Sequence, residues 1–566
     1  MTETLATSDL GKPISSLADE GIFDASARNQ PLFDYGLMAF QMLLLLFALK
    51  ANRHIFWIFP KAWVLLPIFV CVALSKVRFR SNEKHVVRLW QLIGFLSASY
   101  SLFHYPLLAP ATHDWSATVT YVAVVIFWLL SVLGGMFSFY VPSFAVLPAA
   151  FLAWCNYEAE DITGLKVTID LDIMPLIEVS VCIGLGLFIS HATSQALSYL
   201  VKSKDSRFMS GLSGALAAAC FTDLLLLVAI SIHLANYYWS FVAKIGLDGP
   251  LLAWLTQNNP ANLFLTALDD DHIILAGYPR LVRLFHDFVD ATHIFSNFFI
   301  LFFQGLAIAA FFLPKRAFVA LLIAYDVMHF SIFVLAGANF WPWIILNVII
   351  ALIVAAPNYK QQPILIRVIA TLFILIAPRF VQVAYLGWYD TGVNNKLFFE
   401  AVDRAGARYP VPTNFFTFYS YSFGHMDYGP IDPIGSFSVE SPNGGTHWYN
   451  ILRASSSCDA QALHSDSPER WPYQERMYAF VRNYHNIAKK IENVMGIFPY
   501  DAYPHHFYVP IGQSEQFRRL DKSSIVAYIY RQETVCLLFS GGRLERKVLG
   551  SFERRIDLDE GVAIGR

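Results

Sequence analysis

Asp290-x-x-His293 and Asp326-x-x-His329 repeat one spacing inside a strongly apolar part of the chain, and His286 stands one turn before the first copy. At helical spacing His286, Asp290 and His293 share one face, and so do Asp326 and His329. A carboxylate one turn from a histidine fixes the ring tautomer and raises its basicity, or joins it as a metal ligand. Two helices each offering carboxylate-x-x-His follow the logic of di-metal four-helix sites, although those draw Glu from further helices. No metal is assigned on this spacing alone. The other reading is a structural clasp, in which Asp and His satisfy each other between helices. An ionisable group inside a bilayer costs a few kcal/mol or more, so it persists where it faces a bundle interior, a partner or a water-filled cavity. These five groups are the candidate catalytic cluster.

Lys244 is the second candidate. It sits among apolar and aromatic residues in the stretch from Tyr237 to Pro250, which continues through Trp254 to Asn258, Asn259 and Pro260. A desolvated lysine can serve as a base or nucleophile; the plain alternative is an interfacial lysine that snorkels to the membrane surface. Glu178, His191, Asp223 and His233 are further polar groups in apolar runs. Glu178 and Asp223 each stand alone on an apolar face, either buried as the acid or paired with a cation, and His104 reads as interfacial. Gly424-His-Met-Asp427, Asn443-Gly-Gly-Thr-His447 and His505–His506 are generic, and Asn443-Gly444-Gly445 reads as a turn. The sequence holds no Gly-rich phosphate loop, Gly-x-Ser-x-Gly elbow, CxxC or HExxH, so nucleotide, serine-hydrolase and zinc-protease chemistry has no support.

The elements that must position these residues follow from composition. Of 566 residues, 56% are hydrophobic and only 15% charged, with a mean hydropathy of +0.46. Soluble domains carry roughly 25% charged residues, so the chain is a polytopic membrane protein with the lipid bilayer as its first partner. A net charge of −2 gives no indication of nucleic acid. Residues 1–32 read as a polar tail rather than a cleaved signal. Within 33–387, apolar runs near 34–50, 56–76, 89–109, 116–136, 139–156, 173–200, 209–240, 285–313, 317–337, 340–356 and 364–386 predict a helical bundle of about eleven spans.

Basic loops at 76–88, 201–208, Lys315–Arg316 and Lys360 alternate with acidic ones containing Glu158, Glu160 and Asp161, then Asp269 to Asp271. The positive-inside rule puts the basic loops and the N-terminus in the cytoplasm of a plasma (inner) membrane protein, against which Lys50, Arg53 and Lys61 stand as exceptions. Residues 388–566 then form an extracytoplasmic α+β domain. Its strand-like runs are Phe415 to Phe423, Ile525 to Tyr530 and Val535 to Phe539; a turn falls at Gly541–Gly542 and a helix covers about Glu475 to Val494. Cys71, Cys155, Cys182 and Cys220 lie in apolar runs, whereas Cys458 and Cys536 are free to pair if their region faces an oxidising compartment.

Three pieces resemble the horizontally transferred transmembrane domain (HTTM) family, whose members include the vitamin K-dependent γ-glutamyl carboxylases. They are Tyr237-Tyr-Trp followed by Lys244-Ile-Gly-Leu-Asp248, the run His286 to Phe312 with its basic turn, and Met328 to Gly337 followed by Trp341-Pro-Trp343. The resemblance implies a helical bundle with a β-containing domain outside. It also implies that Lys244 deprotonates a hydroquinone, so that O₂ drives epoxidation and carboxylation, with His329 in the matching histidine helix. On this reading the chain is a membrane enzyme of lyase or oxidoreductase type. It takes a reduced quinone such as vitamin K hydroquinone from the lipid and modifies a peptide or other acceptor. A proton-coupled transporter, or a scaffold for maturing or exporting a partner polypeptide, is the alternative. The enzyme requires Lys244 and the His/Asp cluster beside one lipid-accessible cavity; the transporter requires polar groups from face to face.

Overall fold

Apolar runs fold here into helices of very unequal length. The computed structural model describes residues 20–58, 65–79, 83–104, 115–163, 173–203, 214–416, 474–495, 507–509 and 515–558, with positions 420, 423, 452, 453 and 458. Among these, five helices are long and apolar enough to cross a membrane: Tyr35–Ile55, Met174–Tyr199, Phe221–Ile245, Pro279–Phe312 and Lys315–Ala336. The expected bundle of about eleven spans is therefore corrected. Among the described residues the chain is a polytopic helical region with five long apolar helices, followed by a small C-terminal region with an open four-stranded sheet and helices.

The reason is length. A span needs about 20 residues at 1.5 Å each, whereas Leu65–Leu74 has 10 residues and Trp341–Ala355 has 15. The run read as 364–386 is helical only over Ile364–Ile376, because Pro378 and an extended segment follow. Lys84–His104 has 21 residues but starts with Lys84, His85 and Arg88. Large apolar side chains stay exposed on the long helices, among them Phe47, Phe295 and Phe330. Such a surface suits lipid, and the protein is membrane-embedded.

The elements that concern the site are α1 (Glu20–Ile58), α2 (Met174–Ser203), α3 (Gly214–Ile245), α4 (Ala253–Gln257), α5 (Pro260–Asp269), α6 (Pro279–Leu306), α7 (Lys315–Ala336), α8 (Trp341–Ala355) and α9 (Ile364–Ile376). Lys50 and Arg53, two of the three basic residues that opposed the charge pattern, have a local task, whereas Lys61 lies outside the described residues. Lys50 donates to the Arg379 carbonyl at 3.1 Å and Arg53 to the Pro378 carbonyl at 2.6 Å. They satisfy carbonyls that the end of α9 leaves without helical partners. Glu178 is not alone either, since it accepts the Gln382 backbone N–H at 2.9 Å.

The sheet contains β1 (Val393–Asp403), β2 (Arg408–Pro410), β3 (Ile525–Ser540) and β4 (Arg543–Asp557), in the order β2-β1-β3-β4 with every pair antiparallel. Gly541 and Gly542, at φ 58° and 79°, close the two-residue β3–β4 hairpin. Two consecutive positive φ values are what a tight hairpin of this twist requires. The helix α10 (Gln474–Met495) buries Met477, Phe480, Val481 and Tyr484 against Tyr528 and Phe415. The run Phe415 to Phe423, expected as a strand, forms none among its described residues; Phe415, Phe416 and Phe423 fill that aromatic core instead. Cys458 and Cys536 form a disulfide.

Two of the seams between the C-terminal region and the helices run through Lys396 and Tyr508. Lys396 on β1 is buried and donates to Asp270 Oδ2 at 2.6 Å and to the Thr266 carbonyl at 2.7 Å. Across the turn between α7 and α8, the Tyr508 N–H donates to the Gly337 carbonyl at 2.8 Å. Gly337 is left-handed at φ 67°, and a Cβ there would lie 2.1 Å from the His272 carbonyl oxygen. No other residue fits that turn without displacing His272.

Candidate functional site

Lys244 lies in the last turn of α3 and is buried. Its ammonium donates to the Leu386 carbonyl at 2.7 Å and to the Ser240 carbonyl at 3.4 Å. The rings of Trp254 and Trp388 flank it, with centroids 5.5 and 5.9 Å away. A cation is held there by two carbonyl dipoles and two aromatic faces.

The Asn258-Asn259-Pro260 break builds the wall beside the lysine. Asn259 caps α5, its side chain accepting the Ala261 N–H at 3.0 Å, and Pro260 occupies the first turn. Asn258 is thereby left outside both short helices, facing Asp390. Its amide donates to Asp390 Oδ2 at 3.0 Å and accepts the Asp390 backbone N–H at 2.6 Å. Trp388 Nε1 donates to Asp390 Oδ1 at 3.0 Å. The Trp254 indole donates to the Trp388 carbonyl at 2.8 Å, and Asn297 on α6 donates to the Asn258 carbonyl at 2.7 Å. Asp390 is buried, and its charge bears directly on Lys244.

One cavity of about 310 Å³ connects this wall to α7. Lys244, Trp254, Asn258, Trp388 and Asp390 line one part of it; Tyr237, Gln304, Met328, His329, Phe340 and Trp343 line another. Its size falls in the range of small-molecule sites, which run from about 300 to 1,000 Å³. Phe295 of α6 and Val327 of α7 also line it, and both are exposed on the outer faces of their helices, at 70% and 50%. The cavity therefore reaches exposed apolar residues of α6 and α7.

His329 is buried against Tyr237, Phe340 and Trp343, with ring centroids 5.3 to 5.7 Å away. Among the described residues its Nδ1 has no hydrogen-bond partner, and neither has Gln304 Oε1. Asp326, one turn earlier, does not contact His329 through a hydrogen bond. It accepts from Asn347 Nδ2 at 2.8 Å, and Asn347 also donates to the Tyr237 hydroxyl at 2.9 Å and meets His233 Nε2 at 2.8 Å through its Oδ1.

The other copy of the Asp/His spacing lies elsewhere. Asp290 is exposed and accepts from Asn259 at 2.6 Å; His293 Nδ1 meets the Asp290 carbonyl at 2.6 Å. His286 stacks on Phe539 of β3 at 4.2 Å and meets Asp287 at 3.3 Å. None of these three lines the cavity. Of the six sequence candidates, Lys244 and His329 share the cavity, Asp326 is linked to it through Asn347 and then Tyr237, and Asp290, His293 and His286 do not line it. Among the remaining polar groups, His191 meets Gln195 at 2.8 Å, Asp223 is half-buried at the opposite part of α3, and His104 ends its helix. Gly424-His-Met-Asp427, Asn443 to His447 and His505–His506 lie outside the described residues. Among the described residues no group of three or more His, Cys, Asp or Glu is placed to hold a metal ion.

Sequence reasoning did not single out Asp390, Asn258, Tyr237, Gln304 or Asn347 as site residues. Asp390 and Asn347 carried a usable signal: a carboxylate just after an aromatic pair, and an amide in the middle of an apolar helix. The chain matches no protein-family model, and no curated protein and no solved structure is similar to it.

Proposed function

We propose that this chain is an integral membrane enzyme that admits an apolar, quinol-type lipid between α6 and α7 and deprotonates it at Lys244. The observation that supports this reading is the shared cavity: Lys244 and His329 line one void that also reaches exposed apolar residues of α6 and α7. As the neutral amine, Lys244 would take the proton of a ligand hydroxyl. The ammonium so formed is stabilised by the Leu386 carbonyl, by the faces of Trp254 and Trp388 and by the Asp390 charge. Aromatic walls from Phe299, Phe340 and Trp343 suit a planar apolar ring.

A kinship with the vitamin K-dependent carboxylases is part of the same proposal, resting on Lys244, His329 and the sequence around them. The sheet region would then receive the acceptor, a peptide. The orientation proposed is basic loops in the cytoplasm and the sheet outside. Supporting it, Lys315 and Gly337 bracket the 22-residue helix α7, with Gly337 at the seam to Tyr508 of the C-terminal region, and the Cys458–Cys536 disulfide suits an oxidising compartment.

The test is turnover by purified protein in nanodiscs given reduced vitamin K, O₂, labelled bicarbonate and a Glu-rich peptide, scoring epoxide and fixed label. Epoxide formation supports the reaction class even without carboxylation. Folded protein yielding neither product overturns it.

A further inference from the structure

We infer that Tyr237 donates a hydrogen bond to an oxygen of the cavity's ligand, and that Asp326, acting through Asn347, holds it in that role. The inference rests on the quinol-type reading of the cavity and adds the residue that fixes the ligand's oxygen at the end away from Lys244.

Donors and acceptors around Asn347 pair in only one way. The Asp326 carboxylate only accepts, so the Asn347 amide must turn its NH₂ toward it, at 2.8 Å. The second N–H of that NH₂ is given to the Tyr237 oxygen at 2.9 Å. Asn347 Oδ1 then faces His233 Nε2 at 2.8 Å, which requires the proton on that nitrogen. Each polar atom of the Asn347 side chain is engaged, and its orientation is fixed.

Tyr237 is thereby made an acceptor from Asn347. Among the described residues its own hydroxyl proton has no acceptor, although the side chain is 2% exposed. A buried hydroxyl left undonated is a liability unless something else takes the proton. The ring cannot swing away. It stacks on Tyr325 at 3.8 Å and 6°, with Trp343 edge-on at 5.5 Å, and Tyr325 is itself tied to the Phe303 carbonyl at 3.1 Å.

Tyr237 lines the cavity, and so do two other groups with unmatched polar atoms: Gln304 Oε1 and His329 Nδ1, both buried. One donor, one acceptor and one imidazole thus surround the same void. A carbonyl oxygen on an apolar ring accepts from Tyr237; a hydroxyl does so and also donates to Gln304 or His329.

The test compares two radiolabelled probes by equilibrium binding to the full-length protein in nanodiscs: menadione and 2-methylnaphthalene, the same ring without oxygens. Tyr237→Phe is expected to weaken menadione about tenfold, the scale of one hydrogen bond, and to leave 2-methylnaphthalene unchanged. Asp326→Asn removes the charge that orients Asn347 and is expected to weaken menadione about threefold with the same selectivity. Equal menadione affinity in wild type and Tyr237→Phe overturns the inference, as do equal losses for both probes, which would mark general repacking. If Tyr237→Phe does not fold, Asp326→Asn carries the same comparison. Wild type that binds neither probe overturns the quinol-type reading itself, which separates the two failures.

Discussion

Asp390 and Asn258 hold each other through two hydrogen bonds, the Asn258 amide donating to the carboxylate at 3.0 Å and accepting the Asp390 backbone N–H at 2.6 Å. The pair joins the loop before the sheet to the break between α4 and α5, beside Lys244. Asp390→Asn turns an NH₂ toward either Trp388 Nε1 or Asn258 Nδ2, both donors. The expected result is a loss of about 1–3 kcal/mol of stability, the cost of an unmet buried group, together with reduced turnover. Thermal unfolding and initial rates on one preparation check it; unchanged values in both would remove Asp390 from the site.

Asp290 should behave differently from Asp326, although both belong to the same spacing. Asp290 is exposed, and among the described residues its carboxylate holds only Asn259. Asp290→Ala is expected to cost up to about 1 kcal/mol of stability, one exposed hydrogen bond, and to keep turnover within twofold. A large loss of turnover would return the Asp290, His293 and His286 group to the site.

His329 separates a functional role from a structural clasp. Its Nδ1 is buried and has no partner among the described residues. Replacing an unsatisfied polar group by an apolar one of similar size is near neutral or stabilising. His329→Leu is therefore expected to match or exceed wild-type stability while losing most of its turnover. A fall of more than about 2 kcal/mol in stability would mean that a clasp existed after all.

The helical, membrane-embedded character is legible in the sequence, because apolar runs with few charges have no other stable solution. The number of spans is not. A hydropathy window sums apolar residues across a turn, so it cannot separate a long helix such as Lys315–Ala336 from the shorter Trp341–Ala355 that follows Gly337. In the sheet, Val535 to Phe539 reads as a strand because it is apolar. Arg543–Asp557 escapes notice because an edge strand carries charges on its exposed positions. Lys244 and His329 stand out as ionisable groups in apolar surroundings. Tyr237, Gln304 and Asn347 do not, since single neutral polar residues are common in buried helices and only the contacts reveal which atoms lack partners.

The sheet region should also be acid-sensitive through His485. Burial, aided by the charges of Lys489 and Lys522, pulls His485 down to about 4. Its ring meets the Tyr528 hydroxyl at 3.0 Å. An unfolded histidine titrates near 6.5, so between about pH 6.5 and 4 the unfolded chain binds the extra proton and stability falls as pH falls. The loss should reach roughly 1 kcal/mol by pH 5.5 and be absent above pH 7. His485→Gln should flatten that part of the profile in thermal unfolding of the full chain. An unchanged acid slope in the variant would assign the effect to other groups.

The most direct measurement is the rate of epoxide formation from reduced vitamin K by Lys244→Ala against wild type, both in nanodiscs and both shown to be folded. Loss of a general base predicts a drop of about a hundredfold or more, with the helical fold intact. Wild-type turnover in the variant would contradict the central claim that the lysine between Trp254 and Trp388 performs the proton transfer.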